Sequence, residues 1–263
     1  MFDSGLGGLS VLREIRKREP HEKLLYLADH AHCPYGTRTL VEVRSFAMQI
    51  TRWLCAEGAK LIAIACNTAS AAALHTLRET YPDTPFVGME PAVKTAVGST
   101  ITGTVGVLAT EATIKGKLFS NLLDRFADDA TVLTQACPGL VELVEKENYD
   151  PRQARALIKR YAQPLLDLGA DTLVLGCTHY SFLKTEFQDI AGPNIAIIDP
   201  APAVADQVTR VLTDKSLRSK IKLEENPNLI MVCTTDSNQA GRLSRQAKSL
   251  LGESVQLQVV KLK

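Results

Sequence analysis

The sequence predicts an α/β protein built on mainly parallel sheets, and three observations carry that expectation. Short β-branched or leucine-rich runs recur along the 263-residue chain. Amphipathic stretches of helical period separate them, the alternation that βαβ units leave in a sequence. Proline and glycine fall where such helices would begin and end.

In chain order the runs are "LLYLA" 24–28, "LIAIA" 61–65, "TVGVLA" 104–109, "TLVLG" 172–176, "IAIID" 195–199 and "LIMVC" 229–233. Between the first two, Phe46, Ile50, Trp53 and Leu54 recur at helical spacing, Cys55 belongs to the same helix, and Gly58 is placed as its C-terminal cap. After Cys66, "NTASAAALHTLRETY" predicts a helix with Asn67 or Thr68 as its N-cap. The segment 151–168 reads as a further helix, opened by Pro151 and closed by Gly169.

With 45% hydrophobic residues and a net charge of +1, the chain can bury one large core or divide into two ordinary domains. No apolar run reaches the roughly 18 residues that mark a membrane span. The opening "MFDSGLGGLSVLREIRKREP" lacks the zones of a secretory signal, so a cytoplasmic setting is expected. The charge balance argues against nucleic acid or an anionic membrane as partner. Six cysteines are too few and too scattered for a disulfide framework, and reduced thiols are expected.

One pattern occurs twice. "GAKLIAIACNTAS" (58–70) aligns with "GADTLVLGCTHYS" (169–181), pairing Gly58 with Gly169, Cys66 with Cys177 and Ser70 with Ser181. Ligands in parallel α/β sheets bind where strands end and helices begin, and each cysteine sits at such a point. A helix start lowers a thiol pKa from about 8.5. Two thiols facing across one cleft suit removal of a proton from one face of a carbon and delivery of another to the opposite face. The competing reading is a pair of buried structural cysteines.

Other motifs have plainer readings beside the sharper ones. In "DSGLGG", Gly5, Gly7 and Gly8 do not fit the dinucleotide pattern, and a tight substrate-side turn is expected. Asp29, His30, His32 and Cys33 could form a metal cluster, but no second ligand group stands at a recognisable spacing, and no metal is expected. Tyr35 and Gly36 read as a turn fixed by Pro34. His75 reads as a partly buried structural histidine, and Glu145, apart from any catalytic role, as a solvated carboxylate among Glu142, Glu145 and Glu147. Structural roles are preferred for Cys33, Cys137 and Cys233.

"FDSGLGGLSVLREI" (2–15), "CPYGTRT" (33–39), "ACNTAS" (65–70), "CPGLVELVE" (137–145) and "LGCTHYSFL" (175–183) closely resemble, in order and spacing, the motifs of bacterial glutamate racemases. The resemblance spans nearly the whole chain. His179 stands where the related aspartate racemases usually carry glutamate. The implied fold is two pseudo-symmetric three-layer α/β domains with mainly parallel sheets and an interdomain active site: residues 1–93 plus 206–263 carrying Cys66, and 94–205 carrying Cys177.

The implied activity is cofactor-independent interconversion of L- and D-glutamate, supplying D-glutamate for peptidoglycan. By resemblance, Cys66 acts on the D-enantiomer with help from Asp3, and Cys177 on the L-enantiomer with help from His179 and Glu145. Asp3, Ser4, Tyr35, Gly36, Asn67, Thr68, Thr178 and His179 match the substrate-binding pairs. Glutamate is the expected partner, and a homodimer is compatible with the reading. The alternatives are a two-thiol racemase for aspartate or a hydantoin, and a relative that binds an amino acid without catalysis. Only Met1 and Phe2 precede Asp3, which leaves almost no first strand.

Overall fold

A computed structural model describes residues 1–127, 130–220, 229–255 and 257–262. Its elements run β1 Phe2–Asp3, α1 Leu9–Arg18, β2 Leu24–Ala28, α2 Leu40–Ala56, β3 Ile62–Ala63, α3 Asn67–Thr80, β4 Phe86–Val87 and α4 Val93–Val97. There follow β5 Thr104–Ala109, α5 Glu111–Lys115, α6 Lys117–Phe126, β6 Thr131–Ala136, α7 Leu140–Val144, α8 Pro151–Asp167, β7 Thr172–Gly176 and α9 Lys184–Ala191. The chain closes with β8 Ala196–Ile198, α10 Ala201–Asp214, β9 Leu229–Cys233, α11 Ala240–Leu251 and β10 Leu257–Val259.

Every strand pair among the described residues is parallel. One sheet has the order β1-β2-β9-β10 and is joined to the β3-β4 pair through a bridge between Phe2 and Ile64. The other has the order β6-β5-β7-β8. The C-terminal strands thus complete the sheet that the N-terminus begins.

Alternate residues of a strand point to opposite faces, and this builds two three-layer halves. Tyr26, Ala28, Met231 and Cys233 pack under α1, α10 and α11, whereas Leu27 and Val232 pack under α2 and α3. In the second sheet, Leu108, Leu173 and Leu175 meet α7, α8 and α9, while Val105, Val107 and Val174 meet α4 and α6. The expected domain crossing at 205/206 falls inside α10, whose buried residues Ala201, Val204, Ala205, Val208 and Leu212 all pack on the first sheet.

The doubled Gly-Ala is a doubled helix stop. Gly58 N–H donates to Cys55 O and Ala59 N–H to Leu54 O, both at 3.0 Å, and Gly58 takes φ +81°. Gly169 and Ala170 repeat this with Leu166 O and Leu165 O at 2.9 and 3.1 Å, with φ +90° at Gly169. Both are Schellman caps, which need a left-handed residue and satisfy otherwise orphaned carbonyls. Each launches a strand at the same distance from a cysteine.

The first strand is short yet held on both sides. Met1 O accepts from Leu27 N–H at 3.0 Å, Asp3 O from Asp29 N–H at 2.9 Å, and Phe2 O from Ala65 N–H at 2.9 Å. Strands β4, β6 and β10 had no counterpart among the six apolar runs, and the 61–65 run yields only Ile62–Ala63 as strand.

Candidate active site

Cys66 and Cys177 occupy equivalent places. Each has extended backbone, at φ −135° and −150°, and each precedes a helical turn: α3 after Cys66, and a 3-10 helix over Thr178–Leu183 after Cys177. Both line one narrow cleft, and they are only 6% and 7% exposed. The fold therefore brings the two sequence echoes to a common volume.

The start of α3 differs from the expected Asn67 or Thr68 cap. Cys66 is itself the N-cap, its Sγ accepting the Ala69 N–H at 3.4 Å. The expectation of a lowered pKa also fails here. Burial pushes the Cys66 thiol well above its ordinary value and the Asp3 charge adds to this, outweighing the Ala69 amide. Asp3 is wholly buried behind the cleft lining, with Oδ2 accepting from Gly8 N–H at 2.6 Å and from Thr178 Oγ1 at 3.3 Å. Burial raises the Asp3 carboxyl pKa, although His179, the Ser4 amide and the Cys66 thiol act against it.

Cys177 has a different partner. His179 Nδ1 lies 3.7 Å from its Sγ, and His179 Nε2 lies 2.6 Å from Glu145 Oε1, which also accepts Leu6 N–H at 2.6 Å. Burial disfavours charge on both groups, yet their interactions win in each case. Hydrogen bonds to Cys177 and Glu145 hold the imidazole well above its ordinary pKa, and bonds from His179 and the Leu6 amide hold Glu145 well below its own. The reading of Glu145 as a solvated carboxylate is overturned, because it is 8% exposed while Glu142 lies at the surface.

The glycine-rich turn explains how these groups come so close. A Cβ on Gly5 would lie 2.1 Å from Glu145 Oε1, and one on Gly7 2.3 Å from His179 Nδ1. The turn is a backbone wall against which the second half-site is pressed, so a side chain at either position would occupy space these groups already fill.

Of the remaining expected residues, Ser4, Tyr35, Gly36, Asn67, Thr68, Thr178 and His179 line the cleft, while Asp3 and Glu145 stand one layer behind it. Tyr35 donates its hydroxyl to buried Asp29, which also takes hydrogen bonds from Thr234 and His32. Asn67 is 3% exposed with both amide atoms unpartnered among the described residues. A buried amide without protein partners is satisfied by a ligand or an ordered water. Thr68 Oγ1 meets Thr110 Oγ1 at 2.9 Å and Thr113 Oγ1 at 3.2 Å.

Thr110 lines the cleft and was not anticipated, although its place at the end of the "TVGVLA" strand was the available signal. His75, expected to be partly buried, is exposed on α3 and pairs with Glu79 at 3.1 Å. The donor atoms of Cys33, Glu145 and His179 lie within 4.8 Å of one another, a spacing open to a metal ion. Glu145 Oε1 and His179 Nε2 are already satisfied by each other, so the cluster serves first as a proton-holding pair. The sequence cluster around Asp29 resolves differently, with His32 hydrogen-bonded to Asp29 and Cys33 turned toward the cleft groups.

Two parallel α/β halves presenting one thiol each to a shared cleft define a site of the racemase class. The chain belongs to the Asp/Glu/Hydantoin racemase family, whose sequence model matches residues 9–208. It is 51% identical over 221 residues to a glutamate racemase of Roseiflexus sp., covering 84% of this chain and 81% of that protein. Its structure resembles a glutamate racemase isoform from Bacillus anthracis with a TM-score of 0.88 at 31% identity, covering 99% of this chain and 96% of that one. It also resembles the Escherichia coli glutamate racemase in complex with L-glutamate and the activator UDP-MurNAc-Ala, with a TM-score of 0.84 at 28% identity over 100% and 97% of the two chains. Among the described residues, no helix is long and apolar enough to cross a membrane.

Proposed function

We propose that this protein is a glutamate racemase that interconverts L- and D-glutamate through two cysteines without a cofactor, supplying D-glutamate for peptidoglycan in the cytoplasm. The observation that carries the reading is the convergence of Cys66 and Cys177 on one cleft with unlike partners behind them. The 51% identity to a glutamate racemase supports glutamate as substrate over the aspartate and hydantoin alternatives, all three of which occur in the family.

In this reading the empty enzyme holds Cys66 as a thiol, since burial and Asp3 favour its proton. The His179 cation, 3.7 Å from Cys177 Sγ, stabilises negative charge on that sulfur. L-Glutamate loses its α-proton to Cys177, leaving a carbanion whose charge spreads into the α-carboxylate. Cys66 then delivers its proton to the opposite face, giving D-glutamate; the reverse reaction exchanges the two roles. The unpartnered Asn67 amide, the hydroxyls of Ser4, Thr68 and Thr178, and the N–H groups that open the two helical turns are suited to the substrate carboxylates. Tyr35 and Gly36 close the cleft beside Cys66.

The test is incubation with L-glutamate in deuterated water. D-Glutamate carrying deuterium at the α-carbon is expected. L-Glutamate recovered without exchange from folded protein would overturn the proposal, and turnover on aspartate or a hydantoin in its place would transfer it to another substrate.

A further inference from the structure

The chemistry at Cys177 depends on Glu145, and Glu145 is gripped from outside its own half of the molecule. Helix α11 belongs to the C-terminal segment that packs on the first sheet, where Leu243 and Ala247 enter the core. Its adjoining face reaches the C-terminal end of α7. Arg242 Nη1 donates to Glu145 O at 3.1 Å, and Gln246 Nε2 donates to Val144 O at 2.7 Å. Farther out, Arg245 forms a two-point ion pair with Glu147 at 2.6 and 3.2 Å. Positions 242, 245 and 246 fall on one helical face. The carbonyls they bind are among the last of α7, which have no partner within their own helix and carry the negative end of its dipole.

Arg242 makes one more contact. Its Nη2 lies 3.3 Å from His30 Nε2, and that same nitrogen lies 3.5 Å from Glu145 Oε2. Arginine only donates, so His30 Nε2 accepts in this bond and has no proton to offer Glu145. Accordingly, Glu145 Oε2 is buried without a hydrogen bond among the described residues. His179 is then the side-chain donor to Glu145, and the carboxylate charge is directed at the imidazole beside Cys177.

From these contacts we infer that Arg242 is a positioning residue for the second half-site: it fixes the Glu145 backbone and occupies His30, so that Glu145 orients and charges His179. The inference rests on the proposed racemase reading and extends it to a residue in neither cysteine motif. It makes the C-terminal helix part of the catalytic support for the opposite half of the molecule.

The experiment measures racemisation by wild type, Arg242→Ala, Arg242→Lys, Arg245→Ala, Glu145→Gln and the double variant Arg242→Ala/Glu145→Gln, with thermal melting as a check of folding. Arg242→Ala is expected to lower kcat about tenfold or more with little change in KM, because misplacing a supporting group weakens the transition state rather than substrate binding. Arg242→Lys should recover part of that loss, and Arg245→Ala should stay near wild type. In the Glu145→Gln background, removing Arg242 should cost much less than in wild type, the non-additivity of residues acting in series. Losses that simply add, or an Arg242→Ala enzyme with wild-type kcat, overturn the inference while leaving the racemase standing. A wild-type protein without α-proton exchange overturns the function and the inference with it. If Arg242→Ala does not fold, the Arg242→Lys pair of measurements decides by the same comparison.

Discussion

His179 Nε2 donates to Glu145 Oε1 across 2.6 Å, in an interior where the two residues are 1% and 8% exposed. A charge-assisted bond of this kind fixes which ring nitrogen faces the thiol and holds the ring cationic. Glu145→Gln keeps the shape and removes the charge. Its expected outcome is a fall in kcat of roughly 10²-fold, the usual worth of a positioned acid or base. Steady-state assays in both directions check it, and an unchanged kcat would remove Glu145 from the machinery.

The same pair leaves a signature in stability. The His179 pKa is raised above its ordinary 6.5 in the fold, so its contribution is complete below about that pH and is lost as pH rises through the higher native value. The Glu145 pKa is depressed below its ordinary 4.5, so its contribution is complete above about that pH and is lost as pH falls toward the lower native value. Between these limits both contributions are whole. Urea midpoints from pH 6 to 9 should therefore decline more steeply for wild type than for His179→Asn, and equal slopes would contradict the assignment.

On the proposed mechanism each thiol should be required. Replacing Cys66 or Cys177 singly by serine should reduce racemisation by at least about 100-fold, since a hydroxyl at neutral pH is a poor base. The folded state should tolerate either change, because serine is smaller by only the difference between sulfur and oxygen. Circular dichroism alongside D-glutamate production separates the two effects. A single variant with near-normal turnover would remove that cysteine from the mechanism.

Two glycine substitutions should behave oppositely. Gly7→Ala directs a methyl at His179 Nδ1, 2.3 Å from the new Cβ, and is expected to abolish most activity and cost about 1–3 kcal/mol of stability. Gly58→Ala meets nothing within 4 Å but must hold φ +81°, so it should cost roughly 1–2 kcal/mol while leaving kcat intact. Chemical denaturation and turnover of both variants provide the comparison.

Much of this was legible in the residues. The long helices α2 and α8 declared themselves through the spacing of Phe46, Ile50, Trp53 and Leu54 before Gly58 and through Pro151 and Gly169 at the ends of the second, whereas the Thr39–Glu42 capping box of α2 emerges only in the structure. The two cysteines, Asp3 and His179 stand in local motifs that name their positions. The strands that escaped are short or edge-like: β4 has two residues, and β6, at the edge of its sheet, mixes two threonines and a glutamine with its apolar residues. Thr110 and Arg242 escaped for a different reason. Their roles come from contacts across long sequence separations, such as Arg242 with Glu145 and Thr110 with Thr68, which no local pattern announces.

The unlike partners of the two thiols carry a kinetic consequence. On the proposed mechanism, an L-to-D turnover would leave the former base protonated and the former acid bare, so that the enzyme releasing product would not be the enzyme that bound substrate. With a carboxyl behind one sulfur and a charged imidazole behind the other, these two empty forms differ in energy. Such an enzyme would keep a memory of the last hand it made until protons relocate between the half-sites, and at high substrate concentration that relocation would set the pace of the cycle.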